Sequence, residues 1–227
     1  MVAALLSLSL LLPSLPATPA DTTWLKLSGT VRSASGQAIP VVEIWEEEGY
    51  RPLGNGPATE YSFAAKRMVP RPYAVLVAAD HQRTDVDIYS RSMEDITCQV
   101  VMATNLTTAP VQGVRIIGEF NGFNFETAMP MRQTSPTTYV ATLPVTDGKC
   151  VYQVLVDQAG TTAAQHSING TQYDQLVNDK GGDFRSVVLS DRDSVTITYD
   201  LAKVPRTDAP SRVTFSNPRL QMLADEL

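Results

Sequence analysis

Apolar residues in this chain recur at every second position in short runs, and that spacing commits most of it to β-sheet. In Trp24-Leu-Lys-Leu-Ser-Gly-Thr-Val-Arg32, Asp85-Val-Asp-Ile-Tyr89 and Ile96-Thr-Cys-Gln-Val-Val-Met102 the alternation fits a strand, whose successive side chains point to opposite faces. The three-and-four spacing that a helix needs is scarce. With Val41-Val-Glu-Ile-Trp45, Tyr61-Ser-Phe63 and Tyr73-Ala-Val-Leu-Val-Ala78, these runs predict six or seven short strands before residue 103. Gly36, Gly49, Gly54-Asn-Gly56 and Pro70-Arg-Pro72 are read as the turns between them. Strands at Val114, Tyr139, Val151, Phe184 and Ser194 follow, with a long polar loop, 168–183, before Phe184. The expected fold is all-β: two tandem β-sandwiches with a short C-terminal helix. The expected spans are a signal peptide at 1–20, sandwiches at 22–103 and 110–201, and a linker with the terminal helix at 202–227.

At 227 residues, two such units each bury a core. The net charge of -6 argues against duplex nucleic acid or an anionic membrane as partner, because both require a dense basic face. The apolar run Leu5 to Leu12 is too short to span a bilayer, and a small-residue exit, Ala17-Thr-Pro-Ala20, follows it. That pattern predicts export to the periplasm or outside the cell, with cleavage after Ala20. No Lys or Arg precedes the run, which leaves open an upstream start or an N-terminal anchor. Cys98 shares parity with Ile96 and Val100, and Cys150 with Tyr152, Val154 and Val156, so each points into a different core. Two buried thiols, or a disulfide clamping the two units, are the readings this allows.

The chemistry of catalysis is missing from the sequence pattern. Its two histidines, His81 and His166, fall in different units, and no nucleophile elbow, His-Glu-Xaa-Xaa-His or phosphate loop occurs. A capping or solvent-facing imidazole is expected at both histidines, and neither an enzyme nor a cofactor is expected. Glu46-Glu-Glu48 reads as a solvated edge, its carboxylates alternating in direction. Asp174, Asp179 and Asp183, interleaved with Gly181-Gly182, read either as oxygen ligands for Ca²⁺ or as ordinary turn formers.

Two stretches carry family likenesses. Gly29-Thr-Val31, the turn Ser35-Gly-Gln-Ala-Ile-Pro40 and Pro70-Arg-Pro-Tyr-Ala-Val-Leu-Val-Ala-Ala-Asp-His81 resemble the carboxypeptidase regulatory-like, transthyretin-like β-sandwich. Val114-Arg-Ile-Ile-Gly-Glu-Phe-Asn-Gly-Phe123, Met129-Pro-Met131 and Gly148-Lys-Cys-Val-Tyr-Gln-Val-Leu-Val-Asp157 resemble the glycogen-binding type of carbohydrate-binding module. That family is the early-set, immunoglobulin-like sandwich of the AMP-activated kinase β subunit and of starch-branching enzymes. The second likeness implies a weak α-glucan or other glycan contact through Phe123, Asn124, Phe125, Asn121 and Tyr173. Where that family places a Trp after Asn-Gly this chain has Phe123, and where it places a second aromatic after the Val-Asp turn it has Gln158-Ala-Gly-Thr161. A competing reading makes Phe120 and Phe123 plugs of the sandwich edge, with Asn121-Gly122 as a turn.

Ser216-Asn-Pro218 starts a helix whose Leu220, Leu223 and Leu227 share a face. This stripe is expected to dock on a protein partner or a following domain, or to fold back on the second sandwich. The function expected from sequence is therefore an exported non-catalytic binding protein or accessory module. The alternative is a structural or protein-interaction module without a small ligand, the N-terminal part of a larger envelope protein.

Overall fold

The computed structural model describes residues 24–39, 42–46, 51–56, 61–66, 73–87, 96–168, 175–178 and 184–226. The segment 1–20, Tyr173, Asp174, Asp179, Asp183 and Leu227 lie outside the described residues, and with them the leader and calcium expectations. The fold is all-β with one short C-terminal helix. The first strands are β1 (Trp24–Ser33), β2 (Val42–Glu46), β3 (Arg51–Gly56), β4 (Tyr61–Lys66), β5 (Tyr73–Val77), β6 (Thr84–Asp87) and β7 (Ile96–Met102). Then come β8 (Val111–Gly118), β9 (Met129–Pro130), β10 (Arg132–Gln133), β11 (Thr138–Pro144), β12 (Lys149–Gln158), β13 (Gln165–Ser167), β14 (Gln175–Asn178), β15 (Phe184–Leu189) and β16 (Ser194–Asp200). The chain closes with β17 (Arg212–Phe215) and α1 (Pro218–Asp225). Gly54-Asn-Gly56, read from sequence as a turn, instead ends β3 and pairs with β2; the irregular register between Ile44 and Trp45 absorbs the misfit.

Two sheets enclose the first core. One runs β17-β7-β1-β4 and contributes Val31, Ile96, Cys98, Val100 and Phe215; the other runs β3-β2-β5-β6 and contributes Ile44, Leu76 and Val86. The C-terminal segment is thus not an appendage. It crosses back from the second half of the molecule, pairs β17 antiparallel with β7 from Arg212↔Val101 to Phe215↔Cys98, and buries Leu220 in the first core. The helix forms where sequence places it: the Asn217 side chain accepts from the Arg219 N–H at 3.0 Å and Pro218 occupies the first turn. Its Leu220 is 6% exposed and packs into the first core rather than the second, and Leu223 is half-buried, so among the described residues of the expected stripe Leu220 is not open for docking.

The second core lies between sheet β14-β15-β12-β8-β9, with β13 also on β12, and sheet β10-β11-β16. Ile116, Tyr152, Val154 and Val156 face Tyr139, Leu143, Ile197 and Tyr199. Cys98 and Cys150 are both buried and not joined in a disulfide, each in its own core, as strand parity requires. The disulfide alternative is thereby removed.

The two sheet pairs are docked. Leu76 of β5 points into the first core, whereas Val75 and Val77 point away and pack on Ile168 and Phe184 of the second half. Burial on both faces explains why β5 reads as an unbroken apolar run instead of an alternating one. The connection at 104–110 is laced rather than slack. Gln158, 1% exposed, donates from Nε2 to Thr107 O at 2.9 Å and accepts from Thr107 N–H at 3.2 Å. On the returning segment, Arg206 Nε donates to Thr107 O at 2.8 Å, its Nη2 donates to Ala109 O, and Asp208 accepts from Thr108 N–H at 3.0 Å. Gln158 serves as a clamp on this connection.

Candidate functional site

The residues singled out for ligand contact leave β8 through a single 3-10 turn, Glu119–Asn121, and run to Ala128. Gly118 starts the turn because nothing larger fits: a Cβ there would lie 2.4 Å from Val151 O and 3.0 Å from the Phe120 ring. Gly122 and Phe123 both take left-handed backbone, with φ of 63° and 56°. For Phe123 that conformation costs roughly 1–2 kcal/mol. The Phe123 N–H donates to Gly118 O at 2.9 Å and the Arg185 guanidinium lies 3.9 Å over the ring centroid, a contact worth about 0.5–2 kcal/mol.

Asn121 organises the turn from inside. Its Oδ1 accepts from the Gly118 N–H at 3.0 Å, and its Nδ2 donates to Asn124 O at 2.9 Å and Thr127 O at 3.2 Å. A side chain so committed holds the loop and has little left for a ligand. Asn124 is exposed and accepts from the Glu126 N–H at 2.8 Å through Oδ1. Phe125 is 49% exposed, its ring 5.3 Å from that of His166 and tilted by 41°. His166 sits on β13 opposite Leu155, just ahead of the segment read as polar loop, and that segment carries β14; neither strand was expected. The local sequence hid them because their partners, β12 and β15, lie far along the chain.

Behind Phe125, Arg115 grips Asp157 through two bonds, Nε to Oδ2 at 2.9 Å and Nη2 to Oδ1 at 2.7 Å, while Nη1 reaches Phe125 O at 3.4 Å. The bidentate bond to Asp157 raises the Arg115 pKa, so its charge is fixed. Of the five expected contact residues, Asn124 and Phe125 stand exposed, Phe123 is half-covered by Arg185, Asn121 is internal to the loop, and Tyr173 lies outside the described residues. The sequence singled out neither Arg115, Asp157 nor Arg185. Their charges on a strand face were a signal, but only register brings them to this loop.

His81 is not solvent-facing. It is 7% exposed and its Nδ1 is 2.7 Å from Ala79 O; a carbonyl only accepts, which places the proton on Nδ1. Burial depresses its pKa, with the Ala79 bond opposing, so it is neutral at pH 7. Among the described residues no cluster of three or more His, Cys, Asp or Glu side chains has the arrangement to hold a metal, and no helix is long and apolar enough to cross a membrane.

No family model matches the sequence. No curated protein matches it significantly either.

Proposed function

We propose that this protein is an exported, non-catalytic binding protein or accessory module whose second sheet pair holds a glycan weakly. The two sheet pairs are, on this reading, a transthyretin-like sandwich followed by a glycogen-binding-like early-set sandwich. The observation that carries the reading is Phe125: a half-exposed ring, rimmed by His166, Asn124 and the Arg115–Asp157 pair, offers an apolar face beside hydrogen-bonding groups. Sugar rings present the complementary surface, C–H groups on one face and hydroxyls at the edge. One ring without a second platform accounts for weak binding. The test is an amide chemical-shift titration with maltoheptaose and a panel of envelope polysaccharides at millimolar concentration. Shifts clustered over 118–128 and around His166, lost in Phe125→Ala, are expected. A flat titration across the panel overturns the glycan reading.

The alternative, a structural or protein-interaction module without a small ligand, is favoured by Val177 and Leu189. They are 46% and 59% exposed and project from the same face of β14 and β15.

A further inference from the structure

Between the two sheet pairs sits a carboxylate that, among the described residues, is paired with no cation. Asp80 occupies the turn after β5 in left-handed backbone, φ 60°, and is half-buried, but its carboxylate is turned into the second half of the molecule. There Oδ1 accepts from the Ile168 N–H at 2.9 Å and from the Ser167 hydroxyl at 3.0 Å. Ser167 Oγ in turn accepts from the hydroxyl of Tyr199 at 3.2 Å, in the second core. The turn is pinned from the other side by the Asn105 N–H, which donates to Asp80 O at 2.9 Å. A small cavity adjoins the carboxylate, lined also by Asn105, Gln153, His166 and Phe184. Its volume of about 10 Å³ admits one water at most.

We propose that the Asp80–Ser167–Tyr199 junction is a proton-sensitive clasp: the two sheet pairs are held together most tightly with Asp80 protonated and loosen locally as it ionises. The donors around Oδ1 are neutral, and one water does not replace the hydration shell that a carboxylate has in bulk solvent. Opening the junction supplies that shell. In the neutral form Oδ1 keeps both hydrogen bonds and the desolvation cost vanishes.

Among the described residues, no ionisable group near Asp80 forms an ion pair with it. His81, next in the turn, has its pKa lowered by burial; His166 on β13 lines the cavity and packs against Phe125; Tyr199 on β16 is pushed upward in pKa, first by burial; Arg206 is bonded to backbone carbonyls and acts on Tyr199. Desolvation accordingly dominates at Asp80 and lifts its pKa from 3.8 to about 6, against the smaller opposing pull of the Ile168 and Ser167 bonds. The closed junction therefore binds the proton more tightly than the open one. Its stabilising effect is fully present below pH 3.8 and is lost as pH rises to about 6, above which opening levels off.

The experiment is native-state amide hydrogen exchange of the whole chain between pH 4 and 7, corrected for intrinsic rates. The Ser167 and Ile168 amides should lose protection by roughly 100-fold from pH 4 to pH 6.5, while Tyr152 and Val154 in the second core stay unchanged. Asp80→Asn keeps an acceptor and tolerates left-handed backbone, and it should flatten the profile. Ser167→Ala removes a bond that favours the ionised form, and it should move the midpoint to higher pH. Protection at Ile168 that is flat with pH in the wild type, or a pH dependence that survives in Asp80→Asn, overturns the proposal.

Discussion

Replacing Leu220 by Ala tests whether the C-terminal segment belongs to the first core. Leu220 is 6% exposed and packs in one cluster with Ile44, Cys98 and Phe215, so the substitution removes buried methyl groups and leaves a cavity between two sheets and a helix. The loss should be about 3 kcal/mol, within the range of roughly 2–5 kcal/mol for a buried Leu→Ala change. For a chain of this size that corresponds to a fall of roughly 6–12 °C in Tm. The assay is equilibrium denaturation followed by tryptophan fluorescence, because both tryptophans, Trp24 and Trp45, lie on strands of the first sheet pair and report its unfolding selectively. Met222→Ser, two residues on and 53% exposed, is the control and should stay within about 0.5 kcal/mol of wild type. If Leu220→Ala also stays within that margin, and removing residues 216–226 leaves the tryptophan transition in place, the helix is a dispensable appendage and the packing argument fails.

Two further outcomes follow from close packing. Gly118→Ala drives a methyl into Val151 O and should cost about 1–3 kcal/mol while shifting the amide signals of 119–128; a variant as stable as wild type with an unmoved loop contradicts the steric reading. Cys150 has its thiol pushed up to about 11 by burial, with the charge of Glu119 adding to it, and Cys98 is fully enclosed. Both should ignore a thiol reagent at pH 8 until denaturant is added, and a fast-reacting thiol in the native protein contradicts that burial.

Local pattern carried information wherever one strand's own parity decided the outcome. The alternation at Ile96-Thr-Cys-Gln-Val aims Cys98 inward, and that at Cys150-Val-Tyr-Gln-Val aims Cys150 and Tyr152 inward; the structure places all three in the cores. The Asn217-Pro218 helix start was equally legible, since a cap and a first-turn proline act within a few residues. The candidate loop was legible as a loop but not as a surface. Asn121 and Phe123 looked like ligand contacts, whereas the fold spends Asn121 on backbone bonds and lays Arg185, sixty-two residues along, over Phe123.

By itself, then, the sequence determined that this chain is a β protein with buried thiols and a capped terminal helix, because alternation and capping are properties of neighbouring residues. Only the tertiary structure decided which edges meet. It brought β17 to β7, gave β13 to β12, set Gln158 against the connection and turned the Asp80 carboxylate into the second half of the molecule. Strand pairing and interface burial join residues tens to more than a hundred positions apart. Their free energy depends on shape and desolvation at the closed surface, which no local window of residues contains.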